Sequence, residues 1–324
     1  MKRVYLDQMK WIDLARADKG VEAAARFADT LLVARRGVDN GLVSFPLSSI
    51  HYIETAKRRD ERSRRALART MATLSRFHTI ASPRALVPPE IDLALHRRFG
   101  RPTNPRAPEA FGVGVAHALN IEADPCALPE GLPIDPQLAR NLEAQMASLY
   151  EWYALAGLPP GLEVDQGFYD RWQTDVATDL AAQQEALRVV RTRDGWHVGE
   201  RSRRVATAAA FLGWQDEMSE ALARAELGWD DVFSLDYGGM TALLETMPTI
   251  HVASELQRQR EAAANSPWSS HDVADVFFLM GAVVYCDIVV TERQWVDLIR
   301  RSGLDDLHGT VMLSDLGELP QYIA

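Results

Sequence analysis

Four acids, Asp7, Glu54, Asp272 and Glu292, are the residues of this chain whose types and settings could do chemistry together. Asp7 directly ends a short apolar run at 4–6, where an acid has little packing purpose. Glu292 follows Thr291 at the end of a second such run, Ile288–Val290. Asp272 stands at the start of an apolar helical pattern over 273–284, and Glu54 lies in the first turns of a helix beginning near Ile50. A helix running down and a strand running back up bring Asp272 beside Glu292, and a parallel strand brings Asp7 to the same edge. Carboxylates this close repel and raise one another's pKa unless a cation neutralises them. Hard oxygen ligands of this kind suit Mg²⁺ or Mn²⁺. One or two such ions can activate water and stabilise the leaving oxygen in phosphodiester hydrolysis. On this reading Asp7, Glu54, Asp272 and Glu292 are catalytic, and Asp7, Asp272 and Glu292 hold the metal.

Each acid also has a plainer use. Asp272 can complete a capping box with Ser269 or favour the helix dipole. Asp275, three residues on, either stands behind the ligands or pairs with a buried arginine. Glu54 alone reads as a solvated helix residue, and His51 beside it as a satisfied histidine rather than a ligand. Asp287 starts the last strand from the far edge, roughly 16 Å from Glu292. It becomes the alternative ligand if that strand runs the other way.

The elements that must position these groups are legible at the two ends of the chain. Strand, helix, strand, helix over 4–56 is the grammar of a parallel sheet with helices on its faces. It resumes with the helix and strand around 268–290, capped by Ser269 or Ser270, and closes with a strand at 311–313. A long helix is expected over 60–77. Residues 80–136 carry ten of the 16 prolines and read as a loop-rich connection. From 137 to 247 the pattern is helical, broken at 159–161 and 194–195, with 201–226 the longest candidate. The expected organisation is an α/β domain in two parts, 1–80 and 250–324, with a helical insertion over 81–249.

Composition sets the class. With 47% hydrophobic and 25% charged residues the chain reads as an ordinary soluble globular protein. No apolar run reaches membrane-spanning length, and the first residues lack the apolar stretch of a signal peptide. Cys126 and Cys286 cannot by themselves make a disulfide framework or a thiolate metal site, so a reducing cytoplasm is the default location. The net charge of −10 argues against a general polyanion binder but says nothing about patches.

Three segments, VYLDQMKWIDL, SSIHYIE and SSHDVADVFFLMGAVVYCDIVVTE, occur in that order. Together they resemble the PIN domain, a metal-dependent nuclease fold found in toxin ribonucleases and RNA-processing enzymes. The resemblance covers roughly 1–80 and 250–324. It implies a PIN-like sheet, Mg²⁺ or Mn²⁺, and RNA as substrate in a toxin, defence or RNA-processing role. The family's acids would fall on Asp7, Glu54, Asp272 and Glu292. Two departures stand out. Gln8 and Met9 follow the first acid where a small polar residue or Asn is usual, and Glu292 stands where Asp is commoner.

A basic run over 57–69 follows Glu54 directly. Seven Lys and Arg against two acids give +5. On a helix, Arg58, Arg62, Arg65 and Arg69 would form one stripe, suited to a phosphate backbone crossing the acids. Arg58, Arg62 and Arg65 are therefore expected to bind substrate. The insertion, through 137–247, would supply a protein partner or a self-association surface rather than chemistry. Trp152, Trp172, Trp196, Trp214 and Trp229 read as core residues first and interface second. The competing function is a non-catalytic PIN-like scaffold that binds its partner through those helices.

Overall fold

The apolar run behind Asp7 forms a central strand. β1 (Lys2–Leu6) pairs in parallel with β2 (Val43–Ser44) on one side and with β5 (Ile288–Val290) on the other. β5 in turn pairs in parallel with β6 (Val311–Leu313), giving the order β2-β1-β5-β6. Register aligns the strand ends, with Leu6 opposite Val290 and Val290 opposite Leu313. The computed structural model describes residues 1–121, 134–157, 182, 184–196, 199–262 and 268–324. Cys126, the break at 159–161, Trp172 and Pro267 lie outside the described residues.

The remaining elements are mostly helices, so the protein is an α/β fold with a small parallel sheet. The first half carries α1 (Gln8–Asp18), α2 (Ala28–Asp39), α3 (Ser49–Ala56), α4 (Glu61–Ser75), α5 (Pro83–Phe99), α6 (Gly114–Leu119) and α7 (Pro136–Ala156). The middle holds α8 (184–193), α9 (Gly199–Gly213), α10 (Gln215–Arg224), α11 (Trp229–Phe233), α12 (Tyr237–Glu245) and α13 (Pro248–Ala262). The chain closes through α14 (Ser270–Tyr285), α15 (Arg293–Ser302), α16 (Leu304–His308) and α17 (Pro320–Ile323). Among the described residues, no helix is long and apolar enough to cross a membrane.

Period-two alternation divides the strands between two cores. Val4, Leu6, Ile288, Val290 and Leu313 face α1, α2, α4 and the end of α7. Tyr5, Val289 and Met312 face the other way, into a core built by α5, α14 and α15 together with residues of α9–α13. The helices α9–α13 thus share a continuous core with one face of the sheet. The boundaries expected at 80/81 and 249/250 are not boundaries between cores. Phe211, Met218, Leu222 and Leu244 are buried against the same cluster as Tyr5 and Val289.

Other local expectations are corrected. The proline-rich stretch after residue 80 contains α5, a 17-residue helix with Pro83 in its first turn and Pro88 and Pro89 inside. Prolines remove helix donors, but burial of Leu86, Val87, Ile91, Ala94 and Leu95 holds this helix in place. A strand, β4 (Phe111–Val113), stands where none was read and pairs antiparallel with β3 (His78–Ile80). The helix expected over 201–226 breaks at Trp214 into α9 and α10. Trp196 is exposed rather than core.

One buried acid joins the two halves of the larger core. Glu90 on α5 accepts the Thr249 backbone N–H at 2.9 Å, the Thr249 hydroxyl and the Tyr285 hydroxyl. Burial pushes its carboxyl above the usual range while these donors pull it back. Glu90→Leu strands all three donors and should lower stability by about 2–3 kcal/mol in a denaturant titration. Glu90→Gln keeps an acceptor and should cost clearly less. Equal losses would mean that a neutral acceptor of the same shape cannot replace the carboxylate.

Candidate functional site

Parallel pairing puts the ends of β1 and β5 at one edge, and Asp7 is the first residue past it. Its backbone N–H donates to Val290 O at 3.0 Å, and Thr291 N–H donates to Leu313 O. The chain then turns into α1, for which Asp7 is the N-cap; Oδ1 accepts Lys10 N–H at 3.0 Å. Oδ2 is buried with no partner at hydrogen-bond distance among the described residues, although the Thr291 side chain lies close enough to pull the carboxyl's pKa down. Such an atom is costly to leave alone unless something else binds it. Burial pushes the Asp7 carboxyl above its ordinary range, and the nearby charge of Glu292 adds to that.

Glu54 reaches the edge from α3. That helix is locked under the end of β1 by His51, whose Nε2 donates to Leu6 O at 2.9 Å while Nδ1 accepts Ser48 N–H at 2.9 Å. These two bonds fix the tautomer. Burial holds the imidazole neutral, with its pKa down to about 3. His51 is therefore the structural histidine that the sequence suggested. Gln8 adds a second tie, donating to Thr55 Oγ1 at 3.1 Å. Glu54 itself is half-buried. Burial raises its pKa, Lys57 and His271 lower it, and Asp7 raises it.

Of the two acids at the start of α14, Asp275 rather than Asp272 meets the charges of Asp7, Glu54 and Glu292. Asp272 is buried at the start of α14 and forms both halves of a capping box with Ser269. Arg260 of α13 grips it with two bonds, Nε to Oδ1 at 3.3 Å and Nη2 to Oδ2 at 3.2 Å. Burial alone would raise its pKa, but hydrogen bonds from Arg260 and Ser269 outweigh that and hold the carboxyl below its usual range. Its charge is thus spent on a buried arginine and a helix cap. The role of metal ligand expected for Asp272 does not follow from this placement.

Asp275, three residues on, points to the edge. Oδ2 accepts the Trp295 indole N–H at 2.9 Å. Its pKa is pushed up to about 7, first by burial and then by the charges of Glu292, Asp7 and Glu54. Glu292 stands exposed at the end of β5 as the N-cap residue of α15. Asp275 is the one group that feels all three of the others. Asp287 is where parallel pairing requires, at the opposite end of β5, with its Oδ2 accepting Arg3 N–H at 2.7 Å. It takes no part in the cluster.

Among the described residues, no group of three or more carboxylate, imidazole or thiol side chains is placed to hold a metal ion. In kind, Asp7, Asp275, Glu54 and Glu292 fit a hard divalent cation: all are oxygen donors, one oxygen of Asp7 is orphaned, and their mutual repulsion favours a bound positive charge.

The basic run is only partly as expected. α4 begins at Glu61, so Arg58 lies in the turn before it rather than on a continuous stripe. Arg65 is tied to Glu61 at 2.9 Å, and Arg64 is turned inward to Ala156 O and Arg58 O. Arg62 and Arg69 remain exposed. Sequence reasoning also passed over His271 and Trp295. Their spacing carried a signal: His271 and Asp275 are four apart on one helix face.

The chain matches no protein-family model, and no curated protein or solved structure matches it significantly. The site is read from its own geometry.

Proposed function

We propose that the acidic edge binds Mg²⁺ or Mn²⁺ and hydrolyses phosphodiester bonds of a nucleic acid, as a PIN-like nuclease. The observation that carries this is the convergence of Asp7, Glu54 and Glu292 on Asp275 at the carboxyl edge of a parallel sheet. Functional groups gather at that edge in such folds. The preference for RNA over DNA, and a toxin, defence or RNA-processing role, rest on the sequence resemblance alone.

The metal would supply a water acidic enough to attack phosphorus and a counter-charge for the leaving oxygen. Asp7 and Asp275 would hold it, with Glu54 and Glu292 completing the negative rim. The capped start of α1 fixes Asp7, Trp295 orients Asp275, and His51 with Gln8 sets the distance of α3 from the strand end. His271 and Lys57 lie near Glu54, where they can meet a phosphate approaching the rim.

The test is cleavage of single-stranded and structured RNA with Mg²⁺ or Mn²⁺, beside calorimetric titration of the same ions. Cleavage should stop with EDTA and return with added metal. Activity that survives repeated metal removal would refute the site as described. Ion binding without cleavage of RNA or DNA would favour the scaffold reading.

A further inference from the structure

A cleft of about 40 Å³ lies between α1 and the start of α4, away from the acids. Its floor is apolar, with Ile12 and Leu67 among its residues, while Arg16, Lys19, Arg58 and Ser63 contribute to its walls. That volume exceeds the roughly 10–15 Å³ needed for one water and gives room for a phosphoryl group. Three cations beside one hydroxyl in a protein of net charge −10 is a local reversal of sign.

The cations are poised rather than neutralised. Lys19, the C-cap of α1, makes no salt bridge among the described residues, and Arg16 meets Asp13 only at 3.8 Å. The neighbouring acid, Asp18, is taken up by Arg35 at 2.6 Å and Thr70 at 3.3 Å. Asp60 caps α4 through Ser63 N–H. Arg58 is fixed in place: its N–H donates to Thr55 O, its carbonyl accepts Arg64, and its Nη2 donates to Ser63 Oγ at 3.3 Å.

Both walls lead back to the acidic edge. α1 starts at Asp7, and at 1.5 Å per residue Arg16 lies roughly 14 Å along it. Arg58 follows Glu54 by four residues, at the carboxyl end of α3. We propose that this cleft is a phosphate subsite that holds the backbone of the substrate strand a few nucleotides from the bond to be cut. It rests on the nuclease reading for the choice of ligand. Arginine forks and a lysine point charge both suit a phosphodiester, and such contacts carry no base information.

The test uses the full-length protein in EDTA and a fluorescein-labelled single-stranded RNA of mixed sequence. Binding is followed by anisotropy across a salt series. Lys19→Glu should weaken RNA binding roughly tenfold and make the slope of log K against log salt shallower by about one. Lys19→Gln should show the same slope change with a smaller loss. An unchanged slope and affinity in folded variants, or no RNA binding by the wild type, overturns the subsite. Wild-type RNA binding that depends on Lys19, with no metal-dependent cleavage, would keep the subsite and sink the nuclease reading. Cleavage with an unmoved salt slope would do the reverse.

Discussion

Asp275→Asn should abolish metal-dependent cleavage, by about 10³-fold or more, and at the same time make the metal-free protein more stable at pH 8. The two effects share one cause. Asp275 is half-buried within the reach of three other carboxylate charges, and its pKa is pushed up to about 7, against about 3.9 for an unfolded Asp. Between those values the folded state holds the extra proton, so stability falls as pH rises. The favourable contribution is fully present below about pH 4 and is lost as pH rises through about 7. Asparagine removes a charge that the fold disfavours. The gain in Tm should therefore be largest at pH 8 and vanish near pH 4. Added Mg²⁺ or Mn²⁺ should reverse the order, because ligand binding stabilises only the protein that retains the ligand. A variant that cleaves RNA like the wild type would remove Asp275 from the site. One inactive but not stabilised at pH 8 would mean that the acids do not strain the fold.

Breaking the Arg260–Asp272 pair should act in the opposite sense, on stability far more than on chemistry. Both side chains are less than a tenth exposed. Removing one partner of a buried pair typically costs about 3–5 kcal/mol, because the other charge stays desolvated. Arg260→Leu should fall near that range, since among the described residues Asp272 then keeps only its Ser269 donors. The double change Arg260→Leu/Asp272→Asn should recover part of the loss, and the cycle gives the coupling energy. Asp272 is held below its ordinary pKa, so its contribution is present above about pH 4 and is lost as pH falls through the folded value. The gap between wild type and Arg260→Leu should narrow under acid. Per folded molecule, Asp272→Asn should retain cleavage within several-fold. Complete loss of cleavage with an intact fold would return Asp272 to the catalytic set.

The sequence by itself determined the strands that carry the outer acids and which edge those acids reach. Short apolar runs ending in Asp7 and in Thr291-Glu292, with a helix before the second, allow few arrangements other than parallel pairing. Once β5 is parallel to β1, Asp287 must start at the edge opposite Glu292. The cap at Ser269 and the satisfied role of His51 were also local matters, written in neighbours three residues away.

Tertiary structure alone decided which acid of α14 lies with Asp7, Glu54 and Glu292. Asp272 and Asp275 differ by about 60° around the helix and about 4.5 Å along it. No pattern in the sequence fixes how far the helix rolls about its axis. That roll is set by Arg260, which takes Asp272, and by Trp295, twenty residues beyond Asp275, which donates to it from α15. The fate of the middle segment was hidden for the same reason. Helical periodicity marks Phe211, Met218 and Leu244 as buried but does not name what they are buried against. Only the packed chain puts them in one core with Tyr5 and Val289, because contact between elements is decided by shape and volume over distances that no local pattern records.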